Sequence, residues 1–161
     1  MATRTHDSAK VTLPTDTSIR VTREFDAPRH LVFRAWTTPD LVGRWWHAER
    51  GEIASIDIDL RVGGAWRYVM TATGGFEVAF HGEYLEIVPD ERLVSTEVYE
   101  GVPDAQATTT VVFTEQAGRT TVVLVVEHRT REHRDAHVES GMEDGLQTAL
   151  NLLEQVAASL G

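Results

Sequence analysis

Apolar and polar residues alternate along most of this chain. Ser18 to Asp26 sets Ile19, Val21 and Phe25 on one side and Arg20, Thr22 and Glu24 on the other, the signature of a strand with one buried face. Arg23 falls on the apolar side, a position where an arginine more often snorkels at a sheet edge than points inward. Glu52 to Asp59, Ala65 to Thr71, Phe76 onward, Arg92 to Tyr99, Thr108 to Thr114 and Thr120 to His128 read as further strands. Turn residues separate them: Val62-Gly63-Gly64, Thr73-Gly74-Gly75, Pro89-Asp90 and Ala117-Gly118, with a longer loop from Glu100 to Ala107. Gly82 reads as a bulge, because the apolar residues change parity after it to Leu85 and Ile87.

The period changes twice. After the first strand, Asp26 with Pro28 in the first turn predicts a short helix with Leu31, Val32, Ala35 and Trp36 as its stripe. Thr38-Pro39 starts a second, carrying Leu41, Val42 and Trp45. From Thr130 to Leu160 the apolar residues Val138, Met142, Leu146, Leu150, Leu153 and Val156 recur at steps of three and four. This predicts one long helix of roughly 45 Å at 1.5 Å per residue, with Thr130 as its N-cap. Gly141 and Gly145 are costly inside a helix, so something packs close there or room is left. The order is an α+β helix-grip pattern: a curved antiparallel sheet of six or seven strands wrapped around a C-terminal helix, with two short helices after the first strand. Such a helix cannot fill the concave side completely, so a cavity between sheet and helix is expected. Residues 1–16 lack any period and are expected to be a disordered lead-in to a single domain over 17–161.

The net charge of −10 argues against nucleic acid as a partner, because such a chain repels phosphates. The absence of cysteine removes disulfide and thiolate chemistry. No apolar run approaches the roughly 18 residues of a membrane span, and the N-terminus has no apolar signal region, so no membrane partner and a cytoplasmic location are expected.

Several segments together resemble the Bet v 1-like, or START-like, superfamily, and within it the Hsp90-ATPase-activator-like branch. They are Phe25-Asp26-Ala27-Pro28, Val32-Phe33-Arg34-Ala35-Trp36-Thr37-Thr38-Pro39, Trp45-Trp46, the run from Asp59 to Arg67, the run from Gly82 to Leu93, and Gly141-Met142-Glu143-Asp144-Gly145-Leu146. The resemblance covers roughly residues 18 to 160. It implies the helix-grip fold and a pocket, but no single function, since the fold hosts ligand carriers, hormone receptors, polyketide cyclases and a co-chaperone domain.

Trp45-Trp46-His47 ends the second short helix, where the resemblance places a pocket entrance. An aromatic pair there can stack on a flat ligand, or one ring can plug the core while the other covers it. Trp66, Tyr68, Met70, Phe80, Tyr84, Phe113, Met142, Leu146 and Leu150 form the inward set by alternation or helical period. These twelve residues are the candidate lining for an apolar small-molecule ligand; the same set would also serve as a filled core.

His47, His128, Glu97, Tyr68 and Tyr84 are the acid–base groups near such a pocket, and no catalytic motif organises them. His133 and His137 stand at the i, i+4 spacing that can bind zinc. No Glu follows the first His, however, and the segment is highly charged, so neither metal nor cofactor is assigned. The leading expectation is a carrier or sensor of an apolar, aromatic-containing ligand. The alternatives are a cyclase/aromatase-like or small hydrolase enzyme and, ranked lower, a regulator with a chaperone partner. Homodimerisation through a strand edge or helix face is open.

Overall fold

The structure, a computed structural model, describes residues 9–161. Eight antiparallel strands form one sheet: β1 (Lys10–Thr12), β2 (Ser18–Phe25), β3 (Gly51–Ile58), β4 (Ala65–Ala72), β5 (Glu77–Val88), β6 (Arg92–Tyr99), β7 (Ala107–Gln116) and β8 (Arg119–His128). Their spatial order is β1-β2-β8-β7-β6-β5-β4-β3. Helices α1 (Arg29–Thr37) and α2 (Pro39–Val42) follow β2; α3 (Arg131–Glu139) and α4 (Met142–Ser159) end the chain. The α+β helix-grip architecture expected from the sequence holds, with eight strands rather than six or seven.

The extra strand comes from the presumed lead-in. Val11 registers with Val21, so β1 edges the sheet. Ala9 exchanges two backbone bonds of 2.8 Å with the Gln147 side chain of α4, which ties the start of the chain to the last helix. A three-residue strand carries too little alternation to be visible. The rest of the expected lead-in, residues 1–8, lies outside the described residues.

The long C-terminal helix is two helices. Thr130 does cap α3, its hydroxyl accepting from His133 N at 3.1 Å. The helix then breaks at Gly141, whose φ of 83° is the left-handed conformation open to glycine. The two glycines also resolve the choice between close packing and empty room. A Cβ on Gly145 would stand 2.9 Å from the Arg50 guanidinium, which donates to Gly141 O at 3.1 Å. Arg50 therefore occupies the space that the glycines leave.

Two details of the sheet differ from expectation. The bulge falls between Tyr84 and Glu86 rather than at Gly82, and Leu85 is exposed there. Gly82 is needed for another reason: a Cβ would lie 1.9 Å from Thr96 O and 2.6 Å from Trp66 Nε1. Arg23 is an inward charge rather than an edge residue. It is 2% exposed, pairs with Glu154 of α4 at 3.2 Å and lies 4.9 Å from the Phe25 ring. Glu154 also accepts from Asp26 N at 2.9 Å, joining the end of β2 to α4. Asp26 does not cap α1, whose N-cap is Pro28; Glu115 of β7 instead accepts from Arg29 N at 2.8 Å.

The core lies between the concave sheet face and helices α1 and α4. Ile19, Val21, Phe25, Val32, Phe113, Val122, Leu153 and Ala157 are buried there. Among the described residues no helix is long and apolar enough to cross a membrane.

Candidate functional site

Pleating directs alternate residues of each strand onto the concave face. β4 contributes Trp66, Tyr68 and Met70, and registration with β5 sets Tyr68 beside Phe80. Registration then sets Phe80 beside Tyr99 of β6 and Glu97 beside Ala107 of β7. On β7 the inward set continues through Thr109, Val111 and Phe113, all buried.

The two ends of this face differ. Against α1 and the C-terminal half of α4 the packing is closed. Phe33 and Phe113 meet edge to face at 5.4 Å, Trp36 and Phe113 at 5.6 Å, and Trp36 and Trp45 lie at 5.5 Å. Trp45 is buried and donates its indole N–H to Ala35 O at 2.9 Å. Leu150 is 3% exposed and Leu153 is fully buried. Three of the twelve candidate residues, Trp45, Phe113 and Leu150, thus pack in a filled core.

Towards the N-terminal half of α4 the same face is covered less completely. Trp46, Tyr68, Phe80, Met142 and Leu146 are each only half-buried, although all pack against the core. The Trp46 ring stands edge-on to Tyr68 at 5.3 Å and to Phe80 at 5.8 Å, and Trp66 tilts against Tyr68 at 4.8 Å. Trp66, Met70 and Tyr84 are buried, Trp66 and Tyr84 as part of the core and Met70 outside it. The tryptophan pair therefore divides as its sequence allowed, with Trp45 plugging the core and Trp46 leaning over the open half.

His47 is half-buried, and its ring is engaged by its own turn. Nδ1 accepts from Glu49 N at 2.9 Å, and Nε2 lies 3.2 Å from Arg44 O. That turn carries Ala48 at φ 51° and Glu49 at φ 60°, and the ring bonds help to hold it.

The open half contains a small polar group among apolar neighbours. Glu97 is half-buried and accepts from the Thr109 hydroxyl at 3.2 Å. Burial holds its carboxyl above the usual carboxylate range, with the Thr109 bond opposing. Burial pushes the Tyr68 phenol well above its ordinary value, and the nearby Tyr84 and Glu97 add to the effect. Burial raises Tyr84 to about 12. Both phenols are therefore neutral hydroxyls at physiological pH, able to donate and to accept.

Thr109 carried a legible signal, since it shares parity with Val111 and Phe113. Arg50 did not, because its role depends on the helix break.

At the same end of the sheet, His128 Nε2 and His137 Nδ1 are 3.0 Å apart. His128 points inward, as its alternation suggested, and is half-buried. Burial and the neighbouring imidazole lower His137 to about 4. Burial lowers His128, with His133 and Arg134 adding to the effect and Glu127 opposing it. Among the described residues no group of three or more His, Asp or Glu side chains is arranged to hold a metal ion. His81, by contrast, is exposed on the outer face and meets Glu100 at 2.8 Å. A separate cleft of about 290 Å³ lies between α2 and β3, lined by Pro39, Asp40, Gly43, Arg44, Ile53 and Ile56.

The family described as "Activator of Hsp90 ATPase homolog 1-like protein" matches residues 26–158. No curated protein matches the chain. Among solved structures, a Rhodobacter sphaeroides protein superposes with a TM-score of 0.87 at 24% identity, over 94% of this chain and 99% of that one. A Chromobacterium violaceum protein superposes with a TM-score of 0.78 at 29% identity, over 89% and 98%. The AHSA1-like protein of Aeromonas hydrophila gives 0.67 at 22% identity, over 88% and 94%.

Proposed function

The chain belongs to the Activator of Hsp90 ATPase homolog 1-like family, and from that premise we propose that it binds an apolar, aromatic-containing small molecule between the sheet and the N-terminal half of α4. It acts as a carrier or sensor. The observation that carries this reading is the contrast along one continuous face. Inward residues are sealed beneath Leu150 and Leu153, yet Trp46, Tyr68, Phe80, Met142 and Leu146 keep part of their surface. Binding sites of this kind are mostly apolar, with a few convergent polar groups, and Tyr68, Tyr84 and Glu97 supply these here. Affinity comes from apolar burial at about 25 cal/mol per Å². Methionine suits a wall that adapts to its ligand, and Met142 opens α4 at this point.

The test is a fluorescence titration with N-phenyl-1-naphthylamine, a neutral dye that brightens in apolar surroundings. Saturable one-to-one binding is expected, and Leu146→Trp should abolish it by filling the open half while the thermal midpoint stays near that of the parent. Dye binding that is absent, or indifferent to Leu146→Trp in a folded variant, refutes the reading.

A further inference from the structure

The open half contains an acid but no base to match it. Among the described residues, the Glu97 carboxylate accepts from the Thr109 hydroxyl on Oε1, and no lysine, arginine or histidine pairs with it. Its registered neighbour on β7 is Ala107, a short side chain with no group that could hydrogen-bond to the carboxylate. Tyr68 and Tyr84 are close enough to interact electrostatically with one another, and Tyr68 with Glu97. Neither phenol forms a hydrogen bond with any described residue. A carboxylate and two hydroxyls thus share an apolar half-buried region, and protein partners take up little of their hydrogen-bonding capacity. Groups of this kind are costly to bury unless a partner arrives to satisfy them.

Resting on the binding site proposed above, we infer that its ligand carries a hydrogen-bond donor on an aromatic body, an amine or a hydroxyl, and that Glu97 receives it. The acceptor selects the chemistry. An ammonium compensates the carboxylate for lost hydration and gains a charge-assisted bond. A phenolic or alcoholic hydroxyl gains a single strong bond. An ether of the same shape gains neither, and an anion meets repulsion in a region with no cation to offset it. Tyr68 and Tyr84 can each accept from or donate to a second polar atom, which orients the ring system without demanding charge. Glu97 is accordingly a specificity-determining residue, and the aromatic lining supplies the bulk of the affinity.

The experiment uses four naphthalenes of nearly equal size: 2-naphthylmethylamine, 2-naphthol, 2-methoxynaphthalene and 2-naphthoate. Each is titrated against the full chain at pH 7.5 by isothermal calorimetry, with the parent protein and with Glu97→Gln. In the parent, the amine and the naphthol should bind about tenfold more tightly than the methoxy compound, as expected for one charge-assisted or strong hydrogen bond, and naphthoate should bind most weakly. Glu97→Gln keeps the shape and an acceptor for Thr109. It should bring the amine to within about threefold of the methoxy compound, and a circular-dichroism spectrum and thermal midpoint close to those of the parent certify that the variant is folded. Equal binding of all four probes by the parent, or an unchanged ranking in Glu97→Gln, overturns the inference and leaves the apolar site standing. Failure of all four to bind, the methoxy compound included, overturns the site and the inference together.

Discussion

The histidine pair makes stability depend on pH in a direction that can be worked out in advance. His128 Nε2 and His137 Nδ1 are 3.0 Å apart, a distance that one shared proton satisfies and two protons do not. Burial, with His128 adding to it, lowers His137 from an ordinary 6.5 to about 4. A base whose folded value is depressed binds fewer protons folded than unfolded between those limits, so acid favours unfolding there. The stabilisation is whole above pH 6.5, falls as pH drops and is exhausted near pH 4. The interval corresponds to about 3 kcal/mol at 1.36 kcal/mol per pH unit. His128 is lowered as well and acts in the same sense. Glu97, raised by burial, acts in the opposite sense at the acidic end, because its protonated form is favoured by folding. Urea denaturation from pH 7.5 to 4 on the parent and on His137→Gln isolates the term, since every other group is common to both proteins. The parent should lose about 3 kcal/mol more than the variant across this range. Parallel curves would refute the reasoning.

Three further outcomes follow from local geometry. Gly82→Ala sets a Cβ 1.9 Å from the Thr96 carbonyl, which forces β5 and β6 apart and should cost about 3 kcal/mol or more in urea melts; a loss below about 1 kcal/mol contradicts it. Glu154→Leu removes the carboxylate that Arg23 and Asp26 N share, at an expected cost of about 3–5 kcal/mol, and Glu154→Gln should cost less because it keeps an acceptor. Thr130→Ala deletes the cap of α3, worth about 1 kcal/mol, and hydrogen exchange should show faster amides in α3 with α4 protection retained.

The strands and their inward faces were legible because alternation is a direct imprint of burial on one side of a sheet. Trp66, Tyr68, Phe80 and Tyr84 all pack in or against the core on the concave side that parity assigned to them, while Met70 is buried outside that cluster. Periodicity failed where two structures share one pattern. The steps of three and four pass unbroken from α3 into α4, and only a backbone angle at Gly141 separates them. Parity likewise says which residues face inward but not how completely they are covered. That is why Phe113 and Tyr68 look equivalent in the sequence, yet one is sealed under α1 and the other half-open near α4. Arg23 was misjudged because its partner, Glu154, lies 131 residues away in the chain.

The position of β8 within the sheet bears on the order in which the chain can fold. β2 is made early and pairs with β8, with Ile19 registered to Val126 and Phe25 to Thr120. On the ribosome β2 must therefore wait for almost the whole chain, while the hairpins β3–β4, β4–β5 and β5–β6 can close as they emerge. Loop-closure entropy must be met before that last pairing gains anything, so the β2–β8 pairing carries the largest closure cost in the sheet. Until then one edge of β2 has no hydrogen-bonded neighbour, and a nascent chain truncated before β8 exposes that edge rather than forming a smaller version of the domain.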